Sequence, residues 1–272
     1  MRVLFCGDIN GRSGRDVFGE QAPRLKEKFK LDAVIVNGEN AAAGFGITRK
    51  ICDELFQSGA DLITLGNHAW DQRDIIPHIQ SEPRLIRPIN YPDGTPGKGY
   101  SIFETDRGKR LLVINAMCRL FMDPLGDPFP IVDEVLKGHP LGGNVNAILL
   151  DFHGEATSEK MCMANYIDGR ASMVVGTHTH VPTADYRVLP QGTGYMTDAG
   201  MCGDYDSIIG MSKEVPIKRF TTKMPTERMS PALGEGTLSG VMFETDDKSG
   251  LTTRLAPVII GPHLANTEPD WD

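Results

Sequence analysis

The chain has 272 residues, 40% of them hydrophobic and 24% charged, which suits a globular protein able to bury a full core. Basic residues number 28 against 36 acidic ones, leaving a net charge of −8. That sign gives no global attraction to nucleic acid or to an anionic membrane surface, so a phosphate substrate has to be drawn locally, for instance by metal ions.

The opening MRVLFCGDIN holds too few apolar residues for a signal peptide and runs into an acid. No stretch approaches the roughly 20 apolar residues of a membrane helix. Cys6, Cys52, Cys118, Cys162 and Cys202 are scattered and form no CxxC pair. They read as reduced, mostly buried thiols of a cytoplasmic protein rather than zinc ligands.

In chain order, RVLFCGD reads as a strand, followed by a helical stretch over residues 14–30. LDAVIVNGEN is a second strand, and a helix over 48–58 follows with Thr48 as its N-cap. ADLITLGNH is a third, followed by a short helix over 71–80. KRLLVINA, NAILLDFH and ASMVVGTHTH are three more strands of the same buried type, the last two separated by a helix over 158–168. CRLFMDPLGDPFP, with its three prolines, reads as a long loop. YRVLP, TGYMTDA, TLSGVMFETD and LTTRLAPVII are expected as antiparallel strands completing a second sheet, with KEVPIKRFTTKM a short helix among them. Near-continuous apolar strands divided by helices define the α/β class. No repeat or linker splits residues 1–272, so a single domain is expected.

Sites of open α/β folds collect where strands end. Those ends carry Asp8, then Glu39 and Asn40, Asn67 and His68, His153, and finally His178 and His180. Each has an ordinary role available: Asp8 as a helix cap, Glu39-Asn40 and Gly66-Asn67 as turn residues, His153 as a satisfied polar group. Together they bring carboxylates, amide oxygens and imidazoles to one rim, a donor set suited to iron, manganese or zinc. Two histidines at a period of two, if extended, point to the same face. The number of donors exceeds the need of one ion, and Glu39 is placed to bridge two. His78, His139 and His263 are expected in solvent. Trp70 and Phe45 stand open between walling a site and packing a core. AAAGFGITRK lacks the residue order of a P-loop.

GD at Gly7–Asp8, GNH at Gly66–His68 and GTHTH at Gly176–His180 resemble the separated motifs of calcineurin-like metallophosphoesterases. More closely, GDINGRSGR, VNGENAAAGFGIT, LGNHAWDQ, DFHGEATSEK, GTHTHVPTAD, MTDAGMCGDYDSIIG and IKRF resemble the YmdB family, nearly end to end. The resemblance implies a four-layer α/β/β/α sandwich of two mixed sheets and a di-metal phosphodiesterase acting on 2′,3′-cyclic nucleotides. It places one ion on Asp8, Glu39, Asn40 and His180, the other on Glu39, Asn67, His153 and His178, with His68 catalytic. The broader superfamily has Asp-x-His in its first motif, whereas this chain has Asp8-Ile9-Asn10, and Glu39 replaces the common Asp of the second. Fewer nitrogens and more oxygens favour iron or manganese over zinc.

A metal-activated hydroxide attacking phosphorus in line, with His68 protonating the departing oxygen, suits such a set. The expected partner is a small phosphodiester, with no stable nucleic-acid binding, no membrane, and homo-oligomerisation left open. A phosphomonoesterase, nuclease or protein phosphatase on the same metals stays an alternative, as does a nucleotide-responsive regulator acting through protein contacts.

Overall fold

Successive residues of β1 (Arg2–Cys6) face opposite ways, yet both faces are buried: Val3 and Phe5 join one apolar cluster, Leu4 and Cys6 another. A strand covered on both sides reads as an unbroken apolar run, as RVLFC does. The computed structural model, which describes residues 1–271, builds two sheets on this plan.

After β1 come β2 (Asp8–Ile9), α1 (Gly11–Lys28), β3 (Ala33–Asn37), α2 (Arg49–Gln57), β4 (Leu62–Thr64) and α3 (Ile75–Ile79). Next are β5 (Tyr100–Glu104), β6 (Arg110–Met117), α4 (Pro128–Gly138), β7 (Ala147–His153), α5 (Thr157–Tyr166) and β8 (Met173–Thr177). The chain closes with β9 (Arg187–Val188), β10 (Gly194–Met196), β11 (Met201–Cys202), α6 (Glu214–Thr222), β12 (Leu238–Thr245) and β13 (Thr252–Ile260).

One sheet has the order β13-β12-β1-β3-β4, the other β5-β6-β7-β8-β10-β9, and β2 pairs with β11 apart from both. Each sheet mixes parallel and antiparallel neighbours. Between the sheets, Phe5, Ile35 and Phe243 share a core with Val113, Leu149 and Val175. On the outer face of the first, α1 and α2 pack Phe18, Leu25 and Leu55 against Leu4 and Val34. On the outer face of the second, α4 and α5 pack Val132, Leu136 and Met163 against Ile148 and Leu150. This is the expected four-layer sandwich.

The late strands do not all complete the second sheet. β12 and β13 extend the first sheet antiparallel beside β1, while β10 joins the second parallel to β8 with β9 at its edge. Short apolar runs carry no mark of which sheet they join. The proline-rich loop also ends earlier than expected: Pro128 opens α4, and Asp127 caps it by accepting from Phe129 N at 3.0 Å. Proline suits the first turn, where its missing N–H would have had no partner. Thr48 caps α2 as expected, accepting from Ile51 N at 3.2 Å. α1 begins before residue 14, at Gly11, and α3 covers only part of 71–80. Four of the cysteines are buried, Cys162 is exposed, and all are free. His263 is exposed, but His78 and His139 are half-buried, the latter bonded through Nδ1 to Val135 O at 2.9 Å. Among the described residues no helix is long and apolar enough to cross a membrane.

Candidate metal centre and active site

Both sheets deliver polar residues to one rim. β2 carries Asp8, and the turns after β3 and β4 carry Glu39 with Asn40 and Asn67 with His68. β7 ends on His153, and β8 stops at Thr177, just before His178 and His180.

The donors crowd around one nitrogen. His153 Nε2 lies 2.9 Å from Asn67 Oδ1, 3.1 Å from Glu39 Oε1 and 3.2 Å from His178 Nδ1. Ligating atoms of Glu39, His153 and His178 all fall within 4.8 Å of one another. A single hydrogen on Nε2 can satisfy one of three such neighbours, whereas a cation can accept from them all. Gly66 makes the approach possible, because a Cβ there would collide with Glu39 Oε2 and His153 Nε2.

The expected donors Asp8 and His180 fall outside that cluster, although Asp8 Oδ1 lies 3.9 Å from His153 Nδ1. Asp8 Oδ2 accepts from His178 N at 3.2 Å, but Asp8 Oδ1 is buried with no partner. Asn40 donates Nδ2 to Gly44 O at 2.9 Å, and its Oδ1 is likewise buried without a partner. His180 Nδ1 lies 2.8 Å from Ile209 O, which can only accept, so Nδ1 carries the hydrogen and Nε2 keeps its lone pair. An unpaired buried acceptor costs about 1–3 kcal/mol. A cation within reach of Asp8 Oδ1 or Asn40 Oδ1 would relieve that cost.

The two histidines of GTHTH reach the rim by a different route from the one expected. Their backbone is not extended: His178 has φ 102° and His180 φ 65°, so a left-handed turn places each ring. Just before the turn, Gly176 in β8 lets the strand approach Thr197 O, where a Cβ would collide.

Charge follows burial and neighbours. Burial pushes Asp8 well above the carboxylate range, and His153 only partly opposes it. Burial also disfavours ionised Glu39, but His153 outweighs it and holds the group at about 2. His153 is pulled down by burial and lifted more strongly by Glu39, to about 9. Burial and the neighbouring His153 take His178 down to about 3, and burial lowers His180, so both rings are neutral lone-pair donors.

Sequence reasoning missed the residues beneath the rim. Asp151, fully buried on β7, accepts from Thr177 Oγ1 and Thr64 Oγ1, each at 2.6 Å, and from Asn37 Nδ2 at 3.1 Å. Thr177 Oγ1 also lies 2.8 Å from His153 Nδ1. Lys160, on α5, pairs with Asp198 at 3.0 Å and donates to Thr177 O at 2.8 Å, while Asp198 accepts from Thr179 N at 3.0 Å. All of them lie inside or beside the quoted motifs. A lone polar residue within a buried run was the available signal.

His68 stands apart from the donor cluster. Its Nδ1 lies 2.8 Å from Asp71 Oδ2, its ring meets the edge of Phe45 at 5.2 Å, and its backbone N donates to Glu39 Oε2 at 3.0 Å. Phe45 therefore walls the site. Trp70 instead packs against the helix-side core of the first sheet and against Tyr91. Asn10, where the wider superfamily has histidine, is buried at the N-cap position of α1 but makes no side-chain cap hydrogen bond, and its Nδ2 lacks a partner. In front of the rim opens a cavity of about 480 Å³, lined by Glu39, Asn40, His68, His178 and His180 on one side and by residues 208–229 on the other.

Two facing sheets between helices, with carboxylates, amides and imidazoles at one rim, form the architecture of calcineurin-like metallophosphoesterases. The chain belongs to the YmdB-like family, whose sequence model, described as YmdB-like protein, matches residues 4–258. A 2′,3′-cyclic-nucleotide 2′-phosphodiesterase of Bacillus subtilis is 50% identical over 260 residues, covering 96% of this chain and 97% of that one. The crystal structure of a hypothetical protein from Thermus thermophilus superposes with a TM-score of 0.89 at 43% identity, over 96% of this chain and 99% of that one. A novel phosphatase from Mycoplasma pneumoniae gives the same TM-score, 0.89, at 31% identity, over 96% and 93%. The chain is thus an enzyme of phosphoester hydrolysis.

Proposed function

We propose that this chain is a two-metal phosphodiesterase that opens 2′,3′-cyclic nucleotides. One observation carries the proposal: buried acceptors at the rim outnumber donors, with Asn67, Glu39 and His178 crowding His153 Nε2 and with Asp8 Oδ1 and Asn40 Oδ1 buried without a hydrogen-bond partner. Asp8, Glu39, Asn40 and His180 would hold one ion, and Glu39, Asn67, His153 and His178 the other. Bound there, such ions supply a water of lowered pKa and compensate charge on the phosphoryl oxygens. An oxygen-rich set without thiolate favours iron or manganese. The 50% identity to a 2′,3′-cyclic-nucleotide 2′-phosphodiesterase supports the choice of substrate.

The remaining work falls to side chains. With Nδ1 tied to Asp71, His68 has Nε2 left for the substrate. Through that one nitrogen it either donates a hydrogen bond to the phosphoryl group or gives a proton to the departing ribose oxygen. Phe45, packed against the His68 ring, limits its rotation and excludes water from that side. The strands fix the rim before substrate arrives, so little ordering is needed on binding.

Donors come from both sheets, so residues 1–272 act as a single domain in this proposal. Its four buried free thiols suit a reducing, cytoplasmic setting.

The test is metal analysis of protein purified without chelator, with hydrolysis of adenosine 2′,3′-cyclic monophosphate, bis-p-nitrophenyl phosphate and p-nitrophenyl phosphate. Two ions per chain and diesters cleaved faster than the monoester are expected. Faster monoester cleavage, or turnover that survives complete metal removal, would reject the assignment.

A further inference from the structure

The cavity has two unlike walls. One is the polar rim; the other is lined from residues 208–229 by Ile208, Ile209, Met211, Pro216, Phe220 and Met229 with Arg219, and Lys223 Nζ stands 5.3 Å from the centre of the Phe220 ring. A cyclic phosphate over the rim leaves most of the roughly 480 Å³ unfilled, and that volume lies in the range of small-molecule sites, about 300–1,000 Å³. The far wall is also exposed beyond what a folded protein needs. Phe220 shows 67% of its surface and Ile209 54% to solvent, at the mouth of the site.

The wall and the rim are mechanically joined. Ile209 has φ 47°, a left-handed conformation that a β-branched residue adopts only under constraint. Its carbonyl is the acceptor of His180 Nδ1 at 2.8 Å. The residue that orients one rim imidazole therefore presents its side chain to the opposite wall. Phe220 follows on α6, whose inner side is anchored by buried Pro216.

We propose that this wall seats the base of the substrate: the base stacks on the Phe220 ring, flanked by Ile209 and Met229, while the phosphate lies over the rim. The proposal rests on the nucleotide assignment above and adds to it where the base goes and how it is chosen. Apart from Arg219, no side chain from 208–229 in the cavity lining offers a hydrogen bond to a base edge. Selection is consequently by stacking area, which ranks purines above pyrimidines and separates adenine from guanine little. Arg219, beside Phe220 on the same wall, adds a positive charge facing a site otherwise rich in carboxylate.

The experiment compares a nucleotide with its baseless counterpart. The kcat/KM ratio of adenosine 2′,3′-cyclic monophosphate to 1-O-methylribose 2′,3′-cyclic phosphate is measured for wild type, Phe220→Leu and Phe220→Trp. The calorimetric Kd ratio of adenosine 3′-monophosphate to ribose 3-phosphate is measured on the same preparations. Stacking predicts ratios of about tenfold in wild type, a fall towards unity in Phe220→Leu and recovery in Phe220→Trp. Phe220 is largely exposed, so neither change threatens the core. Ratios equal in wild type and Phe220→Leu, or near unity in wild type, overturn the base seat. Calorimetry needs no turnover: a Kd ratio that responds to Phe220 upholds the base seat even if the cyclic nucleotide is not hydrolysed, an outcome that would reject the assigned reaction instead.

Discussion

Thr177 gives its one hydroxyl hydrogen to Asp151 Oδ1 at 2.6 Å, and so can only accept from His153 Nδ1 at 2.8 Å. The hydrogen of the neutral imidazole is thereby fixed on Nδ1, and the lone pair of Nε2 is turned to Asn67, Glu39 and His178. Partners of this kind set both ring orientation and ligand basicity. Thr177→Val keeps the size and strand preference of residue 177 but removes the hydroxyl. We expect metal affinity, measured by competition with a chelator, to fall about 10–100-fold, and Thr177→Ser to restore it. Unchanged affinity in Thr177→Val would show that the tautomer is held by other means.

His68 is bonded to Asp71, outside the donor cluster, and this separates chemistry from metal retention. His68→Ala is expected to keep its metal content while losing about 10²–10⁴-fold in kcat. Asp71→Asn should lose less, since the ring stays in place with a weaker partner. Metal loss in His68→Ala, by elemental analysis, would make His68 a ligand instead.

Glu39 Oε1 lies beside His153 Nε2 while Oε2 accepts from His68 N, and in the proposed assignment Glu39 is the one residue common to both ligand sets. Glu39→Ala should therefore lose both ions together. One ion retained at full occupancy would remove Glu39 from the bridging position.

What the sequence disclosed, and what it hid, follows from how far each signal is local. A strand buried on both faces must be apolar throughout, so residues breaking the run at its end, such as His153 after ILLDF, stand out without any knowledge of the fold. Asp151 breaks the same run two residues earlier, but its partners Thr64, Asn37 and Thr177 come from three other strands in two sheets. Only the packed sandwich brings them together. The spacing of the histidine pair suggests strand alternation, whereas a turn at positive φ aims its rings. Prolines masked α4 because the residue that breaks a helix inside it also favours its first turn. The Phe220 wall lay within the quoted IKRF and DSIIG and on an expected helix, but nothing local showed that these residues face the rim across a cavity.

Lys160 and Asp198 are both fully buried, and their pair at 3.0 Å ties α5 to the backbone of Thr177 and Thr179. Removing one partner strands a buried charge, at a cost of about 3–5 kcal/mol. Lys160→Met should lower the unfolding free energy by that amount while its long chain still fills the space. A loss below about 1 kcal/mol in urea unfolding would mean that Asp198 is neutral or solvated there.

Metal-stripped protein should show an uncommon pH response. His153, lifted to about 9 because Glu39 outweighs burial, holds in the folded state a proton that the unfolded chain releases near 6.5. A group raised in this way gives stability that is whole below the unfolded value and is lost as pH rises through about 9. Glu39, held at about 2, has the opposite dependence: its contribution is present above its unfolded value and disappears only as pH falls towards 2. The melting temperature of the stripped protein should therefore decline between pH 6.5 and 9, with Glu39 constant throughout. Metal binding at Nε2 requires that His153 give up its extra proton, so the loaded protein should lose most of this slope. Differential scanning calorimetry of both forms decides it: a flat or rising melting temperature in the stripped protein over that interval would mean that His153 is already neutral before any ion arrives.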